Sequence, residues 1–231
     1  MLNLIKLEIK KYKFNGHWLG VLIANVVIMG LVALMYFDQS SLEEGEAFLS
    51  YGDAFFFIDT MVRATFIIYA SVLLSKFVID EYRNKTISLM FTYPINRKKL
   101  MASKLVIVFV WTLLAIILSN FALDSALLLL NSQFGLIPDK LVTDTIVTHI
   151  MRTLINAMAA AGLSLIPLFF GMWKKSVAGT IVSAVLIVSV FNSSVGNVSL
   201  YSFVVIPILL AAIGIIVAYV SIRNVDKVDL V

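Results

Sequence analysis

Polar side chains at Asn25, Asn120, Asp124, Arg152 and Asn156 stand inside apolar runs long enough to cross a membrane. A polar or ionised group in hydrocarbon is unfavourable unless it is paired or wetted, so these positions are candidates for function. Asn120 and Asp124 are four apart and share one helix face, and so do Arg152 and Asn156. Two arrangements suit the charged members: an Asp124–Arg152 pair between adjacent antiparallel helices, or separate access of each to outer headgroup water. A proton-coupled carrier usually needs an ionisable group near the midplane. Asp124 alone qualifies here, which argues against that class. The chain has no Cys, and His17 and His149 lie far apart. Thiolate chemistry and disulfides are excluded. A zinc site, which takes three or four ligands, is not expected, and the two imidazoles are expected at interfaces or in loops.

A denser polar stretch is DEYRNKTISLMFTYPINRKKL, residues 80 to 100. Ile87, Met90, Phe91 and Pro94 recur at spacings of three, four and seven from Ile87, which is one apolar face of a short helix. Glu81, Arg83, Lys85 and Ser88 supply its polar surface. Pro94 is expected to end the helix, because the residue before a proline disfavours α geometry, and Asn96 is placed to cap the next one. Such a helix lies on lipid or docks in a groove of another protein. No phosphate-binding glycine loop, dinucleotide fingerprint, HExxH or Gly-x-Ser-x-Gly occurs in the chain. Work done on a solute must then be driven by a gradient or by a partner.

The elements that position these residues follow from composition. Of 231 residues, 61% are hydrophobic and 14% are charged, and mean hydropathy is +0.98. A soluble domain of this length could not bury so much apolar surface. The fold class expected is all-α: a polytopic membrane protein with six transmembrane helices, an N-terminal interfacial amphipathic helix and a short cytoplasmic helix, in a single domain over 1–231. The spans are read at roughly Trp18–Phe37, Asp59–Ile79, Leu105–Leu130, Thr148–Trp173 with a break at Pro167, Val177–Phe191, and Leu200–Ile222. The third is long enough to tilt or to extend past the bilayer. The fifth is short and either spans or bends before Asn192, and Ser199–Pro207 could form a short outer helix. Asp38–Asp59 reads as an outer loop whose Phe48, Tyr51, Phe55, Phe56 and Phe57 rest at headgroup level. In residues 1–15, Leu2, Ile5, Ile9 and Tyr12 alternate with Lys6, Lys10 and Lys13, which suits a helix lying in the interface. No cleavable leader is expected.

Lys and Arg set the orientation. Lys6, Lys10, Lys11 and Lys13, then Lys76, Arg83, Lys85, Arg97, Lys98, Lys99 and Lys104, then Lys174 and Lys175, then Arg223 and Lys227 all fall on one side of six spans. The other side keeps Arg63, Lys140 and Arg152 and holds most of the acids. Both termini are therefore expected in the cytoplasm. The formal net charge of +4 is accounted for by the membrane, with no nucleic acid expected as a partner.

The run Glu81-Tyr82-Arg83-Asn84-Lys85-Thr86, followed by Leu89, Tyr93-Pro94, Arg97 and Lys104, resembles the Glu-x-Arg-x-x-Thr…Pro-x-x-Arg…Lys pattern of type-2 ABC exporter permeases. The motif covers about residues 80 to 104, and the six-span topology extends the likeness along the chain. The resemblance implies that 80–96 is a coupling-helix loop that docks on an ATP-binding subunit. Glu81, Arg83, Asn84 and Thr86 would hold it, and Ile87, Met90 and Phe91 would touch the ATPase or the chain's own spans. The N-terminal arm is similar to the family's interfacial helix. The short loop between spans five and six departs from the small re-entrant helical pair common in the family. The partners implied are two ATP-binding subunits, which carry the ATP and magnesium, a second permease copy or a related permease, and membrane lipid. No cofactor is expected in this chain. The cargo expected is a hydrophobic or amphipathic peptide of antimicrobial type, exported across the cell membrane in a resistance role; lipid-linked material or sodium are alternatives. A secondary carrier or channel, or a scaffold without an ATPase, is the competing class.

Overall fold

The structure is a computed structural model and describes residues 2–11, 15–38, 50–83, 97–135, 137, 142–174, 176–191, 194–195, 198–199 and 205–223. Helix α1 is Leu2–Lys11 and α2 is Asn15–Asp38. Helix α3 runs Tyr51–Leu74 and passes through a π turn, Ser75–Ile79, into the single turn of α4, Asp80–Arg83. Helix α5 is Arg97–Phe134, α6 is Thr143–Leu163, α7 is Pro167–Lys174 and α8 is Val177–Phe191. A two-stranded antiparallel hairpin follows: β1 (Ser194–Val195) pairs with β2 (Val198–Ser199), Ser194 opposite Ser199. Helix α9, Val205–Arg223, completes the described chain.

The fold is helical as expected, apart from that hairpin. It takes Ser199, which the sequence offered to a short outer helix. Among the described residues, four helical stretches are long and apolar enough to cross a membrane: Gly16–Met35, Tyr51–Ile79, Lys98–Phe134 and Thr143–Trp173. Val177–Phe191 and Ile208–Ser221 are shorter apolar helices.

Helix α3 is the centre of the bundle, in contact with α2, α5, α6, α7 and α8. Its buried face runs Tyr51, Ala54, Phe55, Ile58, Val62, Phe66, Ile67 and Ala70, the three-and-four spacing of an apolar helix stripe. Its start corrects the sequence reading by eight residues. Ser50 Oγ accepts from the Asp53 amide at 3.2 Å and the Asp53 carboxylate accepts from the Ser50 amide at 3.2 Å, a reciprocal capping box that satisfies two otherwise orphaned donors. Tyr51 and Phe55–Phe57 therefore belong to the helix and not to an outer loop; Phe48 lies outside the described residues.

Helix α5 spans about 57 Å at 1.5 Å per residue, well beyond the hydrocarbon thickness. It stops at Gly135, whose φ of 63° is the left-handed geometry of a helix-ending glycine. The break before Pro167 falls where the sequence placed it: Leu165 and Ile166 donate to carbonyls three residues back at 3.1 and 3.0 Å, tightening the chain between α6 and α7. Helices α6 and α9 meet backbone to backbone. A Cβ on Gly162 would lie 2.7 Å from Ala211 Cα, and one on Gly214 would run into the Gly162 carbonyl, so this contact requires small residues. Helix α1 packs on α5. It turns Ile5 and Glu8 inward while Lys6 and Lys10 face out, and Ile9, read with the apolar face, is exposed.

Candidate functional site

The C-terminal end of α3 meets the N-terminal part of α5. Leu100, Met101, Lys104, Leu105 and Val108 are all buried, the helical stripe by which α5 faces the bundle. Lys104 therefore sits on an apolar face, 1% exposed, and an ammonium there must be paired. Its Nζ donates to the Phe77 carbonyl at 2.8 Å and forms an ion pair with the Glu81 carboxylate, itself buried. Phe77 lies within the π turn, where Asp80 N donates to the carbonyl of Ser75, five residues back. The widened turn opens the backbone ladder to a side-chain donor.

Glu81 and Lys104 are the first and last members of the sequence motif, and the structure brings them together. Between them runs the segment 84–96. Tyr82 and Arg83 complete the last turn of α4, and Arg97 opens α5. Asn84, Lys85, Thr86, Ile87, Met90, Phe91 and Pro94 lie outside the described residues. Lys104 is corrected from a solvent-facing loop charge to one half of a buried clasp that closes the two ends of that segment.

At the opposite ends of α3 and α5 lies a polar cluster. Arg63 is buried and pairs with Asp59 at 3.2 Å, one helical turn away, while its Nη2 donates to Thr60 Oγ1 at 3.1 Å. Asn156 on α6 donates to Asp59 Oδ2 at 3.0 Å. Asn120 is buried beside the same carboxylate, with its Nδ2 donated to the Ile116 carbonyl at 3.0 Å. Asp124 accepts from His149 Nε2 at 2.9 Å, Thr153 Oγ1 lies 3.4 Å from that nitrogen, and Phe55 stacks on the imidazole with ring centroids 4.5 Å apart. Nearer the helix end, Asn131 donates to the Tyr51 hydroxyl at 2.6 Å and accepts from the Ile137 amide at 3.0 Å.

The cluster gathers three of the five intramembrane residues singled out in the sequence: Asn120, Asp124 and Asn156. The proposed Asp124–Arg152 pair is not formed. His149 takes Asp124, and Arg152, one turn along α6, is exposed and lines a cleft of about 300 Å³ between α3 and α6. Asn25 lies half-buried on the peripheral α2, its Oδ1 without a hydrogen-bond partner. Asp59, Arg63 and His149 were missed. The sequence reading places Asp59 and Arg63 on the outer aqueous side; their four-residue spacing is the signal for the pair. His149, Thr153 and Asn156 share a helix face at spacings of four and three. His17 is also not an isolated interfacial group. Its Nδ1 lies 2.9 Å from the Tyr69 hydroxyl, edge-on to Phe77 and Trp111.

A buried aspartate, a half-buried one and a buried arginine within the bundle remove scarcity of intramembrane charge as an argument against carriers. The class is decided by relationship. A family model described as ABC-2 family transporter protein matches residues 4–192, which include both the clasp and the polar cluster around Asp59 and Asp124. An uncharacterized protein of Bacillus subtilis (strain 168), YcbO, is 44% identical over 228 residues, 99% of this chain and 100% of that one. No solved structure matches the chain. A family match running from the first helix to the end of α8 shows that this multi-pass membrane protein belongs to the ABC-2 family, membrane subunits of ABC transporters.

Proposed function

We propose that the chain is the permease of an ATP-driven exporter and receives the force of ATP binding through residues 84–96. The observation that carries this reading is the Glu81–Lys104 clasp. It ties the helices before and after the segment at its base, so that a push on the segment moves α3 and α5 together rather than fraying either end. Each of these helices carries the clasp at one end and a member of the outer cluster at the other, Asp59 on α3 and Asp124 on α5, about 30 Å away along the helix. A rigid lever of that length converts displacement at the partner into re-packing around the outer cleft.

In this reading α8 and α9 complete six spans, both termini face the cytoplasm, and α1 lies in the inner interface. Two permeases, identical or related, engage two ATP-binding subunits that carry the ATP and magnesium. The coupling residues are Glu81, Arg83, Asn84 and Thr86, with Ile87, Met90 and Phe91 as the docking face. The cargo is a hydrophobic or amphipathic peptide, a role suited to a chain with most of its mass in the bilayer. The test is capture of an ATP-binding subunit from membranes, followed by ATPase measurement of the reconstituted complex against candidate peptides. Wild type should retain the subunit and respond to cargo, whereas a permease that captures no such subunit sinks the reading.

A further inference from the structure

We propose that the cleft between α3 and α6 is a binding site for an organic cation, a primary ammonium or guanidinium group. Its inner wall is Asp59, 3% exposed, with one carboxylate oxygen held by Arg63 and Asn156 and the other, Oδ1, buried without a hydrogen-bond partner. A buried carboxylate oxygen left without a donor is destabilising, and a donor delivered by a ligand removes that penalty. The charge balance has the same sign. The acidic and basic side chains of the two helices that form the cleft are Asp53, Asp59 and Asp144 against Arg63 and Arg152, one acid in excess.

Phe55 and Phe56 line the same cleft, Phe56 substantially exposed, and an aromatic wall beside a carboxylate favours a cation with apolar substituents. Among the described residues no group of three or more His, Asp or Glu side chains is placed to hold a metal ion, so the donor set favours an organic cation over a bare one. A volume of about 300 Å³ is at the small end of ligand sites. It admits one side chain or head group and leaves the rest of a larger molecule among the helices. That the bound group belongs to exported cargo rests on the export reading above; the binding itself does not.

The test uses the full chain in lipid nanodiscs with radiolabelled n-hexylammonium, after subtraction of binding to empty nanodiscs. Saturable binding is expected, displaced by n-butylguanidinium and not by hexanol or hexanoate. Asp59→Asn should weaken it at least tenfold. Because that change also disturbs Arg63, Thr148→Lys is the deciding variant: Thr148 is exposed in the cleft, and a lysine there places a competing ammonium at the site. It too should weaken binding at least tenfold. Non-saturable uptake, equal displacement by hexanol, or unchanged affinity in Thr148→Lys overturns the assignment. None of these readouts involves an ATPase, so failure here leaves the coupling reading standing, and failure to capture an ATPase leaves this site standing.

Discussion

Lys104 reaches from α5 to Glu81 at the end of α3 and α4, and its second bond goes to the Phe77 carbonyl inside the π turn. A single buried ammonium thereby fixes the relative position of two helices and holds open a local departure from α geometry.

Removing one partner of this buried pair takes the opposite charge away from the other, a loss that costs about 3–5 kcal/mol. Glu81→Gln and Lys104→Met should each lower the unfolding temperature of the detergent-solubilised chain clearly. The double variant should be less destabilised than the sum of the singles, because neither charge is then stranded. Additive losses would show that the two residues act separately.

The close approach of α6 and α9 predicts opposite behaviour at two glycines. Gly214→Ala drives its Cβ into the Gly162 carbonyl and should destabilise by about 1–3 kcal/mol, the usual cost of overpacking. Gly30→Ala, on an exposed face of α2 with nothing within 4 Å, should be neutral or stabilise by up to about 1 kcal/mol through helix propensity. Thermal unfolding of the two variants side by side reads the contrast.

Ser50→Ala removes the hydroxyl half of the capping box and should cost about 1 kcal/mol. The effect should be local: faster amide hydrogen exchange over 51–56, the turn that presents Tyr51 to Asn131 and Phe55 to His149. Unchanged exchange there would mean that packing alone holds the helix start.

The apolar runs of α2, α5 and the α6–α7 pair were legible because bilayer thickness demands them, and the two end members of the sequence motif, Glu81 and Lys104, are the two that pair. What failed was depth and partnership. Asp59 reads as the end of an outer loop because Phe48 to Phe57 mixes aromatics with acids, as an interfacial loop does, and Arg63 falls on the outer side only through the distribution of Lys and Arg; both are buried in the bundle. The Ser50-x-x-Asp53 capping signal, with Tyr51, Phe55, Ile58 and Val62 at helical spacing, already pointed to an earlier start. Lys104 looked like a continuation of Lys98 and Lys99, yet it falls on the stripe of Leu100, Met101, Leu105 and Val108. The choice of His149 over Arg152 as the partner of Asp124 was not legible. The two lie one turn apart on α6, and the register between α5 and α6 decides between them.

In the proposed mechanism residues 84–96, anchored by the clasp, engage an ATP-binding subunit. The most direct test is affinity capture from native membranes with wild-type chain and with a Met90→Asp, Phe91→Asp variant whose unfolding temperature matches wild type. Wild type should retain a protein with a phosphate-binding loop and ATPase activity, and the variant should lose it at least tenfold. Equal capture by both, or no ATP-binding protein with wild type, would contradict it.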